Sequence, residues 1–263
     1  MKRRTAHRAW RAAAALALLC AGGCSGCRRP APPPPPPARL APETFNGRQA
    51  LQEALDFVAV GPRVAGTPGG ERAANYLFER LKTLGLDPSL DVFRDRTPEG
   101  EKTFRNVTVT LPGTGTGSVV LASHFDTKSG ISDAFVGAND SGSSSGLLLA
   151  LAQHLAAGPR LDLTVICAWL DGEECLRDYG PRDGLHGSRR LLRRLQDRRA
   201  AAGLRAFLLL DMIGDRHLTV TIPRNCTPDL VSRAFEAARA EGCRLQFTRY
   251  PAEIVDDHVP FLE

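Results

Sequence analysis

The sequence predicts an α/β fold, a three-layer sandwich built on a mixed, largely parallel central sheet. In the second half of the chain, segments with helical periodicity alternate with extended apolar segments, the order typical of such folds. Residues 119–122 are apolar without interruption, as expected of a strand buried on both faces. With 263 residues, of which 43% are hydrophobic, the chain can bury one full core.

The globular pattern begins at Glu43 with two predicted helices. Apolar residues at helical spacing predict a helix that ends at Gly61-Pro62, and these residues are Leu51, Ala54, Leu55 and Val58. A second helix begins near Gly70 and ends at Gly85, and its inward-facing residues are Tyr76, Leu77, Leu81 and Leu84. Extended segments are then expected at 91–93, 104–111 and 118–122.

The alternating half of the chain completes the predicted domain, which spans 43–263. Helices are expected at 146–155, 188–198 and 228–239, and extended segments at 163–170, 207–210 and 217–222.

Residues 1–23 have the pattern of a lipoprotein signal peptide. Five Lys and Arg residues precede a short apolar run at 12–21, and Gly22 and Gly23 then precede Cys24. This order predicts Cys24 as the lipidated first residue of the mature chain, with Cys27 as a second candidate; an ordinary cleaved signal is the alternative. We expect an exported lipoprotein of the cell envelope that reaches the membrane through its lipid anchor only.

Residues 24–42 are expected to form a tether between the anchor and the domain. Their unbroken proline run at 32–37 favours an extended polyproline II spacer without a core of its own. The alternative is a disordered segment without a role, which would have much the same sequence.

The charge balance argues against a nucleic-acid partner. The formal net charge of +5 comes from 34 Lys and Arg against 29 Asp and Glu. Five of the basic residues precede Cys24, and 34 minus 5 leaves 29, so the mature chain is near neutral. No Lys- and Arg-rich patch interleaved with aromatic residues is present in the sequence.

The seven cysteines do not predict a full disulfide framework. An odd number remains once Cys20 in the signal and Cys24 are set aside. Export permits a Cys226–Cys243 bridge, which the sequence leaves open. Cys167 lies in an apolar predicted strand and is expected to be a buried thiol.

Polar clusters follow three of the predicted strands, at 123–126, 169–174 and 210–215, and a Gly-rich turn at 137–142 opens a helix. Open α/β sheets bind their ligands at the ends of strands, so these clusters form the candidate site. Isolated acidic residues such as Asp183 are expected on the solvated surface.

These clusters carry a resemblance that runs from about Glu43 to Glu263. Its segments are 61–67, 124–128, 137–142, 171–174, 187–189, 210–214 and 256–261. In these segments and their order, the sequence resembles the zinc aminopeptidases together with the animal-type glutaminyl-peptide cyclotransferases. The resemblance implies a zinc aminopeptidase-like fold.

The resemblance implies that Asp140 and Glu174 bind zinc and that Glu173 is the general acid/base. Consecutive residues of an extended segment point apart, so Glu174 can bind the metal while Glu173 stays free. A catalytic zinc takes nitrogen and oxygen ligands and keeps one position open. In two-metal aminopeptidases the residues matching His124 and Asp211 bind a second zinc, which Asp140 bridges to the first. The cyclotransferases use one zinc, so the number of ions is left open.

The segments 124–128, 175–186 and 256–261 favour the cyclotransferases. These enzymes convert an N-terminal glutamine of peptides or proteins to pyroglutamate with release of ammonia. The resemblance implies that Asp256 and Asp211 form hydrogen bonds around Glu173, and it places Tyr179 where a tryptophan lines the pocket. The alternative is a zinc aminopeptidase that removes N-terminal residues. We expect a monomer.

The ligand set implied by the resemblance is incomplete in this sequence. The family's remaining zinc ligand is a histidine beyond the segment matching 256–261, and the sequence given ends at Glu263. His258 is a possible substitute, although its motif position places it behind the ligands. A catalytically inactive surface lipoprotein is therefore the alternative from another class.

Overall fold

Helices and strands alternate along the part of the chain that the computed structural model describes, residues 44–262. The helices are α1 (Gly47–Val58), α2 (Pro68–Thr83), α3 (Ser144–Ala157), α4 (His186–Asp197) and α5 (Pro228–Ala240). The strands are β1 (Pro88–Thr97), β2 (Gly100–Leu111), β3 (Ser118–His124), β4 (Thr164–Leu170), β5 (Leu204–Leu209), β6 (Val220–Ile222) and β7 (Phe247–Arg249). No helix within 44–262 is long and apolar enough to cross a membrane. The predicted signal peptide and tether, with Cys24 and Cys27, lie outside the described residues.

The central sheet has the strand order β1-β2-β4-β3-β5 and is mixed, as predicted, with two parallel and two antiparallel pairings instead of a largely parallel arrangement. β3 runs parallel to both β4 and β5, while β2 pairs antiparallel with β4 and β1 pairs antiparallel with β2. Ala122 of β3 lies opposite Ala168 of β4 and Leu209 of β5. The carboxyl ends of the three parallel strands therefore meet at one edge of the sheet, and this edge carries the candidate site.

Both faces of the central sheet are covered, which confirms the three-layer prediction. Along β3, Val119 and Leu121 pack against a core formed with α1, α2 and α3. Val120 and Ala122 belong to a second core, formed with α4. β3 is thus buried on both faces, as its uninterrupted apolar run predicts.

The inward face of α1 is not the one that carries its leucines. Leu51 and Leu55 are 62% and 56% exposed, whereas Phe57 and the carboxylate of Glu53 are buried. Arg80 of α2 compensates the buried charge, since its Nε lies 2.9 Å from Glu53 Oε2 and its second nitrogen contacts the other oxygen. Burial of Phe57 and this ion pair orient the helix, and apolar spacing alone does not reveal either.

A separate two-stranded parallel sheet joins β6 to β7. The sequence predicts β6 as an extended segment but does not predict β7, because three residues are too few to show a period of two.

The described cysteines are free thiols. Cys167 is fully buried in β4, as predicted, and burial raises its pKa to about 12. Cys226 and Cys243 are half-buried and unbonded, so the bridge that the sequence leaves open is not formed.

Candidate metal centre and active site

The candidate site is built at the carboxyl edge of the parallel strands. His124 is the last residue of β3, Asp211 follows β5, and Glu173 and Glu174 follow β4. Asp140 lies in the turn Ala138–Ser143 that leads into α3. Five candidate residues from four separate segments of the sequence are therefore brought to one edge of the sheet.

Three of these side chains form a cluster that can hold a metal ion. One ligand atom each from His124, Asp140 and Asp211 lies within 4.8 Å of the others. The Nε2 atom of buried His124 is 3.0 Å from Asp140 Oδ1 and 3.4 Å from Asp211 Oδ1. Burial by itself lowers the pKa of His124, but the carboxylates of Asp126, Asp140 and Asp211 outweigh it and hold that pKa well above its usual value.

The donor set of this cluster fits zinc. One imidazole nitrogen and two carboxylates are ligands that zinc takes in catalytic sites, where a further position stays open. Asp211 Oδ1 is buried and makes no hydrogen bond in the described structure, so a lone pair is available there. His124 and Asp211 are the pair that the resemblance assigns to a second zinc, and the structure brings them together with Asp140.

Glu174 lies outside this three-residue cluster. Its Oε2 is 3.3 Å from the ammonium nitrogen of Lys128, which also donates to the backbone carbonyl of Cys175. Burial, followed by the negative charges of Asp126 and Asp140, raises the pKa of Glu174 to about 7. The structure thus places Glu174 near Asp140 but pairs it with a lysine, and its role as a zinc ligand stays a prediction.

Asp126 holds the segment that carries the two glutamates. Its two oxygens accept hydrogen bonds from the backbone N–H groups of Glu173 and Glu174, at 3.1 and 3.2 Å. The two side chains then diverge to different partners, as expected of consecutive residues. Sequence reasoning missed this role, although Asp126 lies within the segment 124–128.

The carboxylate of Glu173 is buried and accepts a hydrogen bond from the hydroxyl of Tyr179, 2.9 Å from Oε1. Burial raises the pKa of Glu173 well above its usual value; His124 opposes this shift, while Asp257 and Asp256 add to it. A carboxyl group with a raised pKa is suited to both accept and return a proton near neutral pH. This environment fits the predicted general acid/base.

Asp256 and Asp257 act on this carboxylate through their negative charges. Burial, reinforced by the charge of Asp211, raises the pKa of Asp256 to about 6. Asp257 is fully buried, and burial together with Asp256 raises its pKa to about 8. The expected hydrogen bonds from Asp211 and Asp256 to Glu173 are not formed among the described residues, where the side-chain partner of Glu173 is Tyr179. Sequence reasoning assigned the first aspartate of the pair and missed the second.

His258 is not part of the described metal cluster. Its Nε2 is buried and makes no hydrogen bond within the described chain, and burial lowers its pKa. The expectation that His258 lies behind the ligands stays a prediction.

Arg63 joins the two loops that carry His124 and Asp140. Its fully buried guanidinium donates to the carbonyls of Phe125 at 2.8 Å, Val136 at 2.7 Å and Gly137 at 3.1 Å. Burial lowers its pKa to about 10, against the opposing effect of Asp126 and Asp140. Sequence reasoning included Arg63 in the segment 61–67 but did not identify this role.

Gly137 permits the backbone of the turn that carries Asp140. Its φ of +47° is left-handed, and a Cβ there would collide with the carbonyl oxygen of Asp140. Only glycine fits a position with both constraints.

Asp183 shapes the loop between Glu174 and α4, and its predicted exposure is wrong. It is 6% exposed, and its carboxylate accepts hydrogen bonds from the backbone N–H groups of Leu176, Arg177 and Asp178. These bonds hold its pKa below the usual value, against the opposing effect of burial. A carboxylate that satisfies three amides is stable in a buried position.

The fold and the site together define the class, an α/β protein with a candidate metal centre at the carboxyl edge of its central sheet. The model of Peptidase family M28 matches residues 106–263, and the chain belongs to this family.

Two relatives are similar over most of the described chain. The glutaminyl-peptide cyclotransferase-like protein of Bos taurus is 33% identical over 234 residues, which cover 76% of this chain and 60% of the bovine protein. The crystal structure of an Acidobacteriales bacterium glutaminyl cyclase superposes with a TM-score of 0.79 and is 33% identical, covering 86% of this chain and 78% of that one. The chain thus spans about 60% of the length of its bovine relative.

A more distant structure shares the fold. A leucine aminopeptidase precursor from Bacteroides thetaiotaomicron superposes with a TM-score of 0.73 at 22% identity, covering 85% of this chain and 82% of that one.

Proposed function

We propose that the protein is a zinc-dependent glutaminyl-peptide cyclotransferase, which converts the N-terminal glutamine of peptides or proteins to pyroglutamate with release of ammonia. The observation that carries the proposal is the buried carboxyl group of Glu173, with its raised pKa, beside the cluster of His124, Asp140 and Asp211. The relatives at 33% identity, from Bos taurus and from an Acidobacteriales bacterium, bear names of this activity.

Zinc held by this cluster, or by Asp140 with Glu174, would supply a positive charge that polarises the side-chain amide carbonyl of the substrate glutamine. Glu173 takes a proton from the α-amine as the amine nitrogen attacks the amide carbon. This attack closes the five-membered ring. Glu173 then gives the proton to the side-chain amide nitrogen, whose bond to the carbonyl carbon breaks as ammonia leaves. Each bond that forms or breaks therefore involves the substrate, and the carboxyl group of Glu173 returns to its initial state.

Asp211 and Asp256 contribute to this chemistry through Glu173. The charge of Asp256 is one of the causes that raise the pKa of Glu173, and Asp211 in turn raises the pKa of Asp256. In this proposal the buried acids keep the proton of Glu173 available for transfer at neutral pH.

A zinc aminopeptidase is the second candidate. It is favoured by membership of Peptidase family M28 and by the grouping of His124 and Asp211 with Asp140, the set expected of a second zinc. In that reaction Glu173 takes a proton from the attacking water instead of from the substrate amine.

One experiment separates the two reactions. A peptide that begins with glutamine is incubated with the zinc-loaded protein, and ammonia, pyroglutamate and free amino acids are measured together. The cyclotransferase releases ammonia in a one-to-one ratio with pyroglutamate, and Glu173→Gln loses this activity. Free amino acids without pyroglutamate contradict the proposal and support the aminopeptidase. If the protein binds less than one zinc per chain and forms neither product, the result supports the inactive surface lipoprotein.

The proposed location is the cell envelope, with Cys24 as the lipidated residue and Cys27 as the second candidate. The support is the order of basic residues, apolar run and small residues before Cys24. Mass spectrometry of the mature N-terminal peptide should show a diacylglyceryl group on Cys24, and Cys24→Ala should release the protein from membranes. We propose that the protein is a monomer and that its partners are the N-termini of peptides or proteins. Nucleic acid has no part in this proposal.

A further inference from the structure

Tyr179 makes the one side-chain hydrogen bond that Glu173 accepts within the described residues. Its hydroxyl oxygen lies 2.9 Å from Oε1 and 3.2 Å from Oε2 of Glu173, so it faces both oxygens of the carboxylate. A hydrogen bond to an ionised carboxylate is stronger than one between neutral groups and restricts the side chain more. Tyr179 therefore limits the rotation of the carboxylate proposed as the general acid/base.

The loop around Tyr179 is held in place by contacts on several sides. A Cβ added at Gly184 would lie 2.6 Å from the Tyr179 ring, so the ring packs directly on that backbone. The N–H of Leu185 donates to the carbonyl of Glu173 at 3.0 Å, and Asp183 binds the amides that precede Tyr179. The ring is consequently a fixed support and not a free side chain.

The charges around Glu173 explain why a neutral donor is suited to this position. The neighbouring carboxyl groups of Asp256 and Asp257 repel a second negative charge. The pKa of the Tyr179 hydroxyl is raised by burial and by the charge of Glu173, so the hydroxyl stays protonated and remains a donor. A hydroxyl group orients the carboxylate through its hydrogen bond and adds no charge beside it.

We propose that Tyr179 is a positioning residue that orients the Glu173 carboxylate toward the substrate amine. Tyr179 is 39% exposed, whereas Glu173, whose carboxylate accepts its hydrogen bond, is buried. With the hydrogen bond in place, the remaining lone pairs of Glu173 have one preferred direction. This inference rests on the proposed role of Glu173 in cyclisation.

The kinetic test is Tyr179→Phe, which removes the hydroxyl and keeps the ring. We expect kcat for a glutamine-initiated peptide to fall about tenfold with little change in KM, because the lost interaction acts on proton transfer and not on substrate binding. Tyr250→Phe is the matched control, since Tyr250 follows β7, is 43% exposed and should leave both constants unchanged. An unchanged kcat, or a rise in KM alone, overturns the proposal.

A second measurement does not depend on turnover. The chain has three tyrosines, Tyr76, Tyr179 and Tyr250, so ¹³C labelling at the phenolic carbon gives three assignable NMR signals. We expect Glu173→Gln to shift the Tyr179 signal and leave the other two in place. An unmoved Tyr179 signal overturns the positioning role by itself. If the protein shows no turnover but the Tyr179 signal still shifts in Glu173→Gln, the hydrogen bond is supported and the proposed function is overturned.

Discussion

The side-chain carbonyl of Asn139 accepts a hydrogen bond from the backbone N–H of Gly214 over 2.8 Å. This bond connects the turn that carries Asp140 to the loop that carries Asp211. The distance between the candidate ligands Asp140 and Asp211 therefore depends on the side chain of Asn139, which is not itself a candidate ligand.

Asn139→Ala should loosen this connection and weaken zinc binding. Residues behind the ligands typically contribute about tenfold or more in metal affinity, and we expect a loss near about tenfold here because the bond is exposed. Competition with a chromophoric chelator measures the affinity, and hydrogen exchange should be faster at Gly214. Asn75→Ala, on the exposed side of α2, is the control. Equal affinity in both variants would show that the connection has no effect on the metal.

The structure also predicts which carboxylate the zinc requires. Asp211 belongs to the cluster with His124 and Asp140, while Glu174 is paired with Lys128. We therefore expect Asp211→Asn to lower the zinc content per chain more than Glu174→Gln does, because it removes the negative charge of a carboxylate from the cluster. Metal analysis after dialysis measures this. The reverse order would place the ion between Asp140 and Glu174.

Arg63→Met should destabilise the fold strongly. The guanidinium satisfies the carbonyls of Phe125, Val136 and Gly137 in a buried environment, and the substitution leaves these acceptors without donors. Because unsatisfied buried polar groups cost about 1–3 kcal/mol each, we expect a loss of at least about 3 kcal/mol in the free energy of unfolding. Urea denaturation measures it.

Arg72→Met, on the exposed face of α2, is the matched control for Arg63→Met. A surface substitution of this kind is expected to change the free energy of unfolding by at most about 0.5 kcal/mol. Similar values for the two variants would mean that the buried hydrogen bonds of Arg63 contribute nothing measurable.

We expect the free energy of unfolding to fall at acid pH because of the carboxylate of Asp91. Burial alone would raise its pKa, but hydrogen bonds from Arg190 and Arg194 of α4 outweigh burial and hold it below the usual value. A carboxyl group whose pKa is lower in the folded state stabilises the fold above its unfolded pKa of about 3.9, and this contribution disappears as the pH falls through the folded value.

Asp91→Asn should therefore lower the free energy of unfolding by about 1 kcal/mol at pH 7, a modest value because solvent screens this pair. The difference from the unaltered protein should shrink as the pH falls below about 4. Thermal unfolding between pH 2 and 7 tests this. A difference that is constant with pH would show that the charge of Asp91 is not the cause.

The thiols should react in an order set by burial. Cys226 and Cys243 are half-buried and unbonded, whereas Cys167 is buried with a pKa raised to about 12. Since only the thiolate is a good nucleophile, iodoacetamide should label Cys226 and Cys243 in the folded protein and Cys167 only after unfolding. Peptide mass spectrometry locates the labels. A disulfide-linked peptide containing Cys226 and Cys243 would contradict the structure.

Local patterns in the sequence predict most of the fold. Apolar spacing locates α2 and α3, and the uninterrupted run at 119–122 identifies a strand buried on both faces. These features follow from periodicities of a few residues, which the sequence displays directly. Because polar clusters follow the same strands, the sequence also locates His124, Asp140 and Asp211 at one edge of the sheet.

Only the tertiary structure decided how these side chains are paired. It placed Lys128 against Glu174, brought the hydroxyl of Tyr179 to Glu173, and directed both oxygens of Asp126 to the backbone of the two glutamates. Such pairings depend on which loops lie next to each other and on separations of about 3 Å, the range over which hydrogen bonds form. The sequence alone therefore determined which residues reach the site, and the packing of loops across the strand ends determined which of them bind one another.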